Sequence, residues 1–235
     1  MGFLVRSFLI TQRTGILVFM ETAVVAIHIL GNGPSLGLFD RAKSCADSDI
    51  VVGCNFSDVA LRPHYTVLID VRAIKQFMSD DPYVLEIDAV LSTRAYNYLE
   101  SHFGWDKVPD FAINVIDTID LIRDRKISKN LAMNSGQHAA VYSLRNHKDQ
   151  KEIHIWGTDS FWTRDIQSST DPIARPKHSG PRVRPHTTKC WNRYWSKIFQ
   201  DFPRTEFVIH AYSDSKVDHK IQSHTNVRID RHDNS

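Results

Sequence analysis

Gly31-Asn32-Gly33-Pro34-Ser35 is the first segment whose residue types and spacing could do chemistry. Glycines let a backbone turn tightly and approach a ligand, proline suits the first position of a helix, and the N–H groups that follow can face an anion. The segment reads as a phosphate-type loop or as an ordinary strand-to-helix turn. It is neither the GxGxxG nor the GxxxxGK[ST] pattern, so nicotinamide-dinucleotide enzymes and P-loop kinases lose support. Three further polar segments punctuate the chain: Cys54-Asn55, Asn134-Ser135-Gly136 at a predicted helix start, and Gly157-Thr158-Asp159 after the run Glu152–Trp156. Asp70 ends another apolar run and reads equally as a ligand contact or a loop cap.

His186 follows a segment holding Pro172, Pro176, Pro181 and Pro185 and stands just before a long amphipathic stretch. A histidine at a helix N-terminus feels the positive end of the dipole, which keeps the imidazole neutral and available as a general base. A solvent-exposed loop histidine is the other reading. Metal-ligand spacing is missing: the twelve histidines contain no HExxH and no tight cluster, and the only DxD, Asp47-Ser48-Asp49, precedes a strand. No catalytic metal is expected, with Asp70 and Asp159 the pair that could share one.

The elements that position these residues alternate. Val24–Leu30, Asp49–Gly53, Thr66–Asp70, Val84–Leu91, Phe111–Val115, Glu152–Trp156, Glu206–His210 and Asn226–Ile229 read as strands. Several are continuous Val/Ile/Leu runs, as expected for strands covered on both faces, so the expected fold is α/β with a largely parallel, doubly wound sheet flanked by helices. Trp191, Tyr194, Trp195, Ile198, Phe199 and Phe202 fall on one face of a helix spanning Thr188–Phe202 and read as core. A second helix is expected from about Ser135 through Leu144, capped by Asn134 or Ser135. In such a sheet the carboxyl ends of the strands are where ligands bind.

The 235 residues include 42% hydrophobic and 24% charged residues, an ordinary globular balance. They suit one domain over residues 23–235, preceded by an extension at 1–22 that is expected to be poorly ordered, and Met20 could be the natural start. No stretch reaches the roughly 18 apolar residues of a membrane span. Cys45, Cys54 and Cys190 form no CxxC pair, which excludes a disulfide framework or structural zinc site by pattern and suggests a cytoplasmic setting. The formal net charge is +2, but Ser160–Gln200 holds eight basic against two acidic residues, a local +6. An acidic body with one basic segment fits a local anionic ligand better than a wrapped nucleic acid, and no nucleic-acid partner is expected. The stretch of about residues 160–187 is therefore read as a basic lid loop or a disordered segment.

GNGPS after the first strand, the Cys-Asn pair ending the second, Asn-Ser-Gly opening a helix, then KEIHIWGTD and a histidine before a late helix resemble bacterial sialyltransferases that use CMP-sialic acid. They also resemble the related proteins grouped with archaeal 6-hydroxymethylpterin diphosphokinase. The resemblance runs in order from about Val24 to His210. It implies a Rossmann-like fold and an inverting, metal-independent glycosyltransferase moving a sugar from a nucleotide-activated donor to a glycan hydroxyl. The nucleotide-sugar is then a co-substrate and no cofactor is needed. Peripheral membrane contact fits such chemistry, because its acceptors are often membrane-linked glycans. By motif, Asn32, Gly33 and Ser35 would contact donor nucleotide and phosphate, Asn55 the nucleotide or sugar, and Asn134, Ser135 and Gly136 the nucleotide. Gly157 and Asp159 would line base and ribose, and His186 would be the base. The diphosphokinase relatives imply an alternative, ATP- and Mg²⁺-dependent transfer to a pterin-like alcohol, and a non-catalytic nucleotide-binding relative is a third reading.

The chain departs from the sialyltransferases after Asp159. There they carry hydroxylated aromatics that hydrogen-bond the leaving phosphate, whereas Ser160, Phe161 and Trp162 stand here. Neither Phe161 nor Trp162 has a phenol to offer. Arg182 or Arg184 could take over by charge-assisted contact, an inference from the residues and not a family feature.

Overall fold

The computed structural model describes residues 25–55, 61–69, 71, 74, 88–104, 113–116, 133–162 and 185–233, with the backbone alone at 113–116, 159 and 185–188. Eight strands form one sheet: β1 (Ala26–Leu30), β2 (Ile50–Cys54), β3 (Tyr65–Leu68), β4 (Asp88–Ser92), β5 (Ile113–Ile116), β6 (Glu152–Trp156), β7 (Glu206–Tyr212) and β8 (Val227–His232). Their order is β5-β4-β3-β2-β1-β6-β7-β8 and each neighbouring pair is parallel. The helices are α1 (Arg41–Ser44), α2 (Thr93–Phe103), α3 (Ser135–Asn146), α4 (Pro185–Asp201) and α5 (His219–Gln222), with 3-10 turns at Pro34–Leu38 and Asp159–Phe161.

Successive strand residues face opposite sides of a sheet, and here both sides are apolar over much of its width. Ile27, Ile29, Val52, Ile153, Ile155, Phe207 and Ile209 form one core with Ala139, Ala140 and Leu144 of α3, Trp195, Ile198 and Phe199 of α4, and Ile221 of α5. On the other face Leu68, Ala89 and Leu91 pack against Ala95 and Leu99 of α2. Leu30, Val51 and Trp156 on that face pack with Leu36 and Phe39, which follow β1. The result is the expected α/β, Rossmann-like, doubly wound arrangement, its strands buried because both faces are covered.

Besides offsets at strand ends, two differences from the sequence reading bear on the site. The aromatic helix begins at Pro185, not Thr188, since proline's fixed φ and missing N–H suit the first helical position. The chain after β6 makes a 3-10 turn at Asp159–Phe161 in place of loop, closed by the buried Phe161 ring against Trp195 at a centroid distance of 5.3 Å. The extension at 1–22 and most of the expected lid, 163–184, lie outside the described residues.

Candidate functional site

Strand order reverses between β1 and β6, because β1 continues to β2 on one side and β6 to β7 on the other. At such a switch point the connections leave in opposite directions and open a crevice beyond the carboxyl ends. The GNGPS segment leaves β1 at that point and the Gly-Thr-Asp segment leaves β6. Gly31 N–H donates to Trp156 C=O and Gly33 N–H to Gly157 C=O, both at 2.8 Å. A Cβ on Gly31 would lie 2.5 Å from Gly157 O, and one on Gly157, whose φ is +63°, would lie 2.6 Å from Gly31 O. The two glycines are therefore required by the contact of one turn with the other.

That geometry commits two amides of the first loop to the chain itself. The Gly31 and Gly33 amides are bonded to the end of β6 and do not face an anion. The open donors are on α3. Asn134 caps this helix: its side chain accepts from Gln137 N–H at 2.9 Å, while Gln137 Oε1 accepts from Asn134 N–H at 2.9 Å. Gln137 also donates to Trp191 C=O, which ties α3 to α4. The amides of Ser135 and Gly136, at the first two helical positions, have no hydrogen-bond partner among the described residues, the arrangement that suits an anion at a helix N-terminus. Thr158 Oγ1 connects these parts, lying 3.1 Å from a Cβ built on Gly31 and 3.7 Å from one built on Gly136. The segments carrying Asn32, Gly33, Ser35, Asn134, Ser135, Gly136 and Gly157 are thus brought to one place, and Asp159 follows directly in the backbone.

Asn55 leaves β2 at the same edge with φ +53°, a left-handed conformation that asparagine tolerates better than most residues. Its N–H donates to Val67 C=O, and its buried Oδ1 has no hydrogen-bond partner among the described residues. His138 Nδ1 in the first turn of α3, Ser160 Oγ after β6, and Trp191 Nε1, Asn192 Oδ1 and Trp195 Nε1 in α4 are also buried without a hydrogen-bond partner among the described residues. Buried polar groups are nearly always paired, so this concentration marks the chain after β2 and β6 together with α3 and α4 as a part of the molecule not arranged for stability alone. Burial holds His138 neutral, its pKa lowered to about 4.

His186 lies within the first turn of α4 and not in a loop ahead of it, because the helix starts at Pro185. Its side chain and that of Asp159 are outside the described residues, as are Asp70, Arg182 and Arg184 altogether.

The sequence reading missed a cluster of histidines. His28, His154, His210 and His232 sit on β1, β6, β7 and β8 and meet on one face of the sheet: His154 Nδ1 and His210 Nε2 are 2.8 Å apart, His210 Nδ1 and His232 Nε2 2.9 Å, and the His28 and His154 rings stack at 4.6 Å. The only sequence signal is histidine at alternate positions of apolar strands, which becomes a cluster through strand register. His28, Cys45 and Asp49 also bring three ligand atoms within 4.8 Å of one another. Their hydrogen bonds oppose a metal there. An indole N–H only donates, so Trp156 Nε1 at 3.2 Å fixes His28 Nδ1 as the acceptor and leaves the proton on Nε2, toward Asp49. Burial and the Asp49 carboxylate push the Cys45 thiol up to about 11.

Among the described residues no helix is long and apolar enough to cross a membrane. No protein-family model matches the chain and no curated protein matches its sequence, so the chemistry of the crevice rests on its residues.

Proposed function

We propose that this protein is an inverting, metal-independent glycosyltransferase that moves a sugar from a nucleotide-activated, CMP-sialic acid-like donor to a glycan hydroxyl. The observation that carries the reading is the meeting of three separate motifs, after β1, after β6 and at the start of α3, around Thr158 at the switch point. In the proposed complex the Ser135 and Gly136 amides hold the donor phosphate, with Asn32, Gly33 and Ser35 beside it. Asn55 contacts nucleotide or sugar, and Gly157 and Asp159 line base and ribose. Arg182 and Arg184 close over the leaving phosphate and help exclude water.

His186 takes the proton from the acceptor hydroxyl as that oxygen attacks the anomeric carbon. The bond from this carbon to the phosphate oxygen breaks in line, and the nucleoside monophosphate leaves with the bonding electrons. The proton passes from His186 to solvent. We place the reaction in the cytoplasm, where three cysteines that form no disulfide stay reduced.

His186→Ala is expected to lower transfer from CMP-sialic acid, followed as CMP release, by about 10²–10⁴-fold, the usual contribution of a positioned general base, with donor affinity unchanged. Transfer at the wild-type rate in that variant would remove His186 from the mechanism.

A further inference from the structure

Trp156 connects the histidine cluster to the crevice. Its carbonyl accepts from Gly31 N–H, and its ring packs with Leu36 and Phe39 of the segment that follows. The buried indole stacks on His210 at a centroid distance of 3.3 Å and donates to His28 Nδ1. His28 in turn donates Nε2–H to Asp49, whose carboxylate is anchored by Ala26 N–H at 2.9 Å and Ala46 N–H at 2.8 Å. Each group in the line Trp156–His28–Asp49 has one role, donor, relay or acceptor, and only the neutral Nε2–H form of His28 satisfies it.

We propose that His28 and Trp156 form an acid-sensitive latch on the crevice: a proton on His28 Nδ1 sets two donors against each other, displaces the Trp156 ring and loosens the Gly31–Gly157 contact. The remaining histidines reinforce the neutral state. The Glu152 carboxylate, 3.1 Å from His154 Nε2, orients His154 as a donor at that nitrogen. His154 Nδ1 therefore accepts from His210 Nε2, and His210 Nδ1 accepts from His232 Nε2, so the whole row carries its protons on Nε2.

The charged groups facing the latch pull in both directions. Asp49 favours a proton on His28, whereas burial, His154 and Arg41 of α1 oppose it, and the balance holds its pKa down at about 4. Around His154, Glu152, Asp49 and Asp230 of β8 favour the charged form while burial and Arg228 of β8 oppose it. Burial, His154, His232, His28 and Arg228 keep His210 neutral. His28 therefore takes a proton on acidification ahead of His210, the imidazole stacked on the Trp156 ring.

The test is hydrogen exchange at the Gly31 and Gly33 amides, which needs no ligand and stands whether or not the transferase reading holds. Above the pKa of His28 its protonated fraction rises about tenfold for each pH unit lost. Protection of both amides, corrected for intrinsic rates, should fall about tenfold per unit from pH 7 to pH 5, without the urea dependence of global unfolding. His28→Gln keeps an acceptor for Trp156 and a donor for Asp49 but does not titrate, and should abolish that slope. Trp156→Phe, which removes the opposing N–H, should flatten it and serves if the first variant does not fold. Protection that follows the strand-core amides at every pH and urea concentration, or a slope retained in a folded variant of either kind, overturns the latch.

Discussion

Gly31→Ala should destabilise the protein by about 3 kcal/mol, the upper part of the range for overpacking, and should abolish nucleotide binding as well. The added Cβ would stand 2.5 Å from the Gly157 carbonyl oxygen, a backbone atom that cannot rotate away. Relief requires the two turns to separate, which breaks the Gly31–Trp156 and Gly33–Gly157 hydrogen bonds and widens the crevice. Gly37→Ala is the matched control: among the described residues a Cβ there meets only the Tyr212 hydroxyl at 3.7 Å, an ordinary contact. Its effect should be near zero or slightly stabilising, since alanine loses less chain entropy on folding. Urea unfolding of both variants measures the difference. Equal stability of the two would mean that the turns do not approach as described.

Acid should unfold the protein well before its carboxylates are fully protonated. Burial lowers His28 and His138 from about 6.5, the value of an unfolded histidine, to about 4, and His210 further, to about 2. Below pH 6.5 the unfolded chain binds protons that the folded chain refuses, so unfolding free energy falls with falling pH. The stability these histidines protect is complete above pH 6.5 and declines through the window down to about pH 4 for His28 and His138. At about 1.4 kcal/mol per pKa unit each of those two accounts for at most about 3–4 kcal/mol, large against the roughly 5–15 kcal/mol of a typical domain. Thermal unfolding at pH 7, 6, 5 and 4 should show a progressive drop, smaller for His138→Leu because one of the depressed groups is gone. A melting temperature constant from pH 7 to pH 4 would contradict the burial of these imidazoles as neutral groups.

The sheet was legible because buried parallel strands write themselves as short continuous apolar runs. Ala26–Leu30, Ile50–Cys54 and Glu206–Tyr212 lie on such runs, with offsets of a residue or two at their ends. α2 was missed: it buries only Ala95 and Leu99 fully, with the tyrosines Tyr96 and Tyr98 and Phe103 half-buried beside them, so its apolar face is short and partly polar. The punctuation at Gly31, Asn134 and Gly157 was readable as strand or helix ends. That these meet, and that the glycines of the first turn serve chain-to-chain contact, depends on strand order, which no local pattern carries. The histidine row was invisible for the same reason, since His154 and His210 are 56 positions apart and join only through the β6–β7 register. The start of α4 differed by one turn because the prolines ahead of it read as loop, while Pro185 serves as the first helical residue.

The central claim is that the β1–β6 crevice holds a sugar-carrier nucleotide without a metal. A ligand that binds only the native state raises its melting temperature by mass action, so a thermal-shift panel of CMP, UDP, GDP, ADP and ATP, each with Mg²⁺ and with EDTA, tests it directly. Stabilisation by CMP, or by UDP or GDP, that persists in EDTA is the predicted result. Stabilisation by ATP alone and only with Mg²⁺, or by none of the five, would contradict the account.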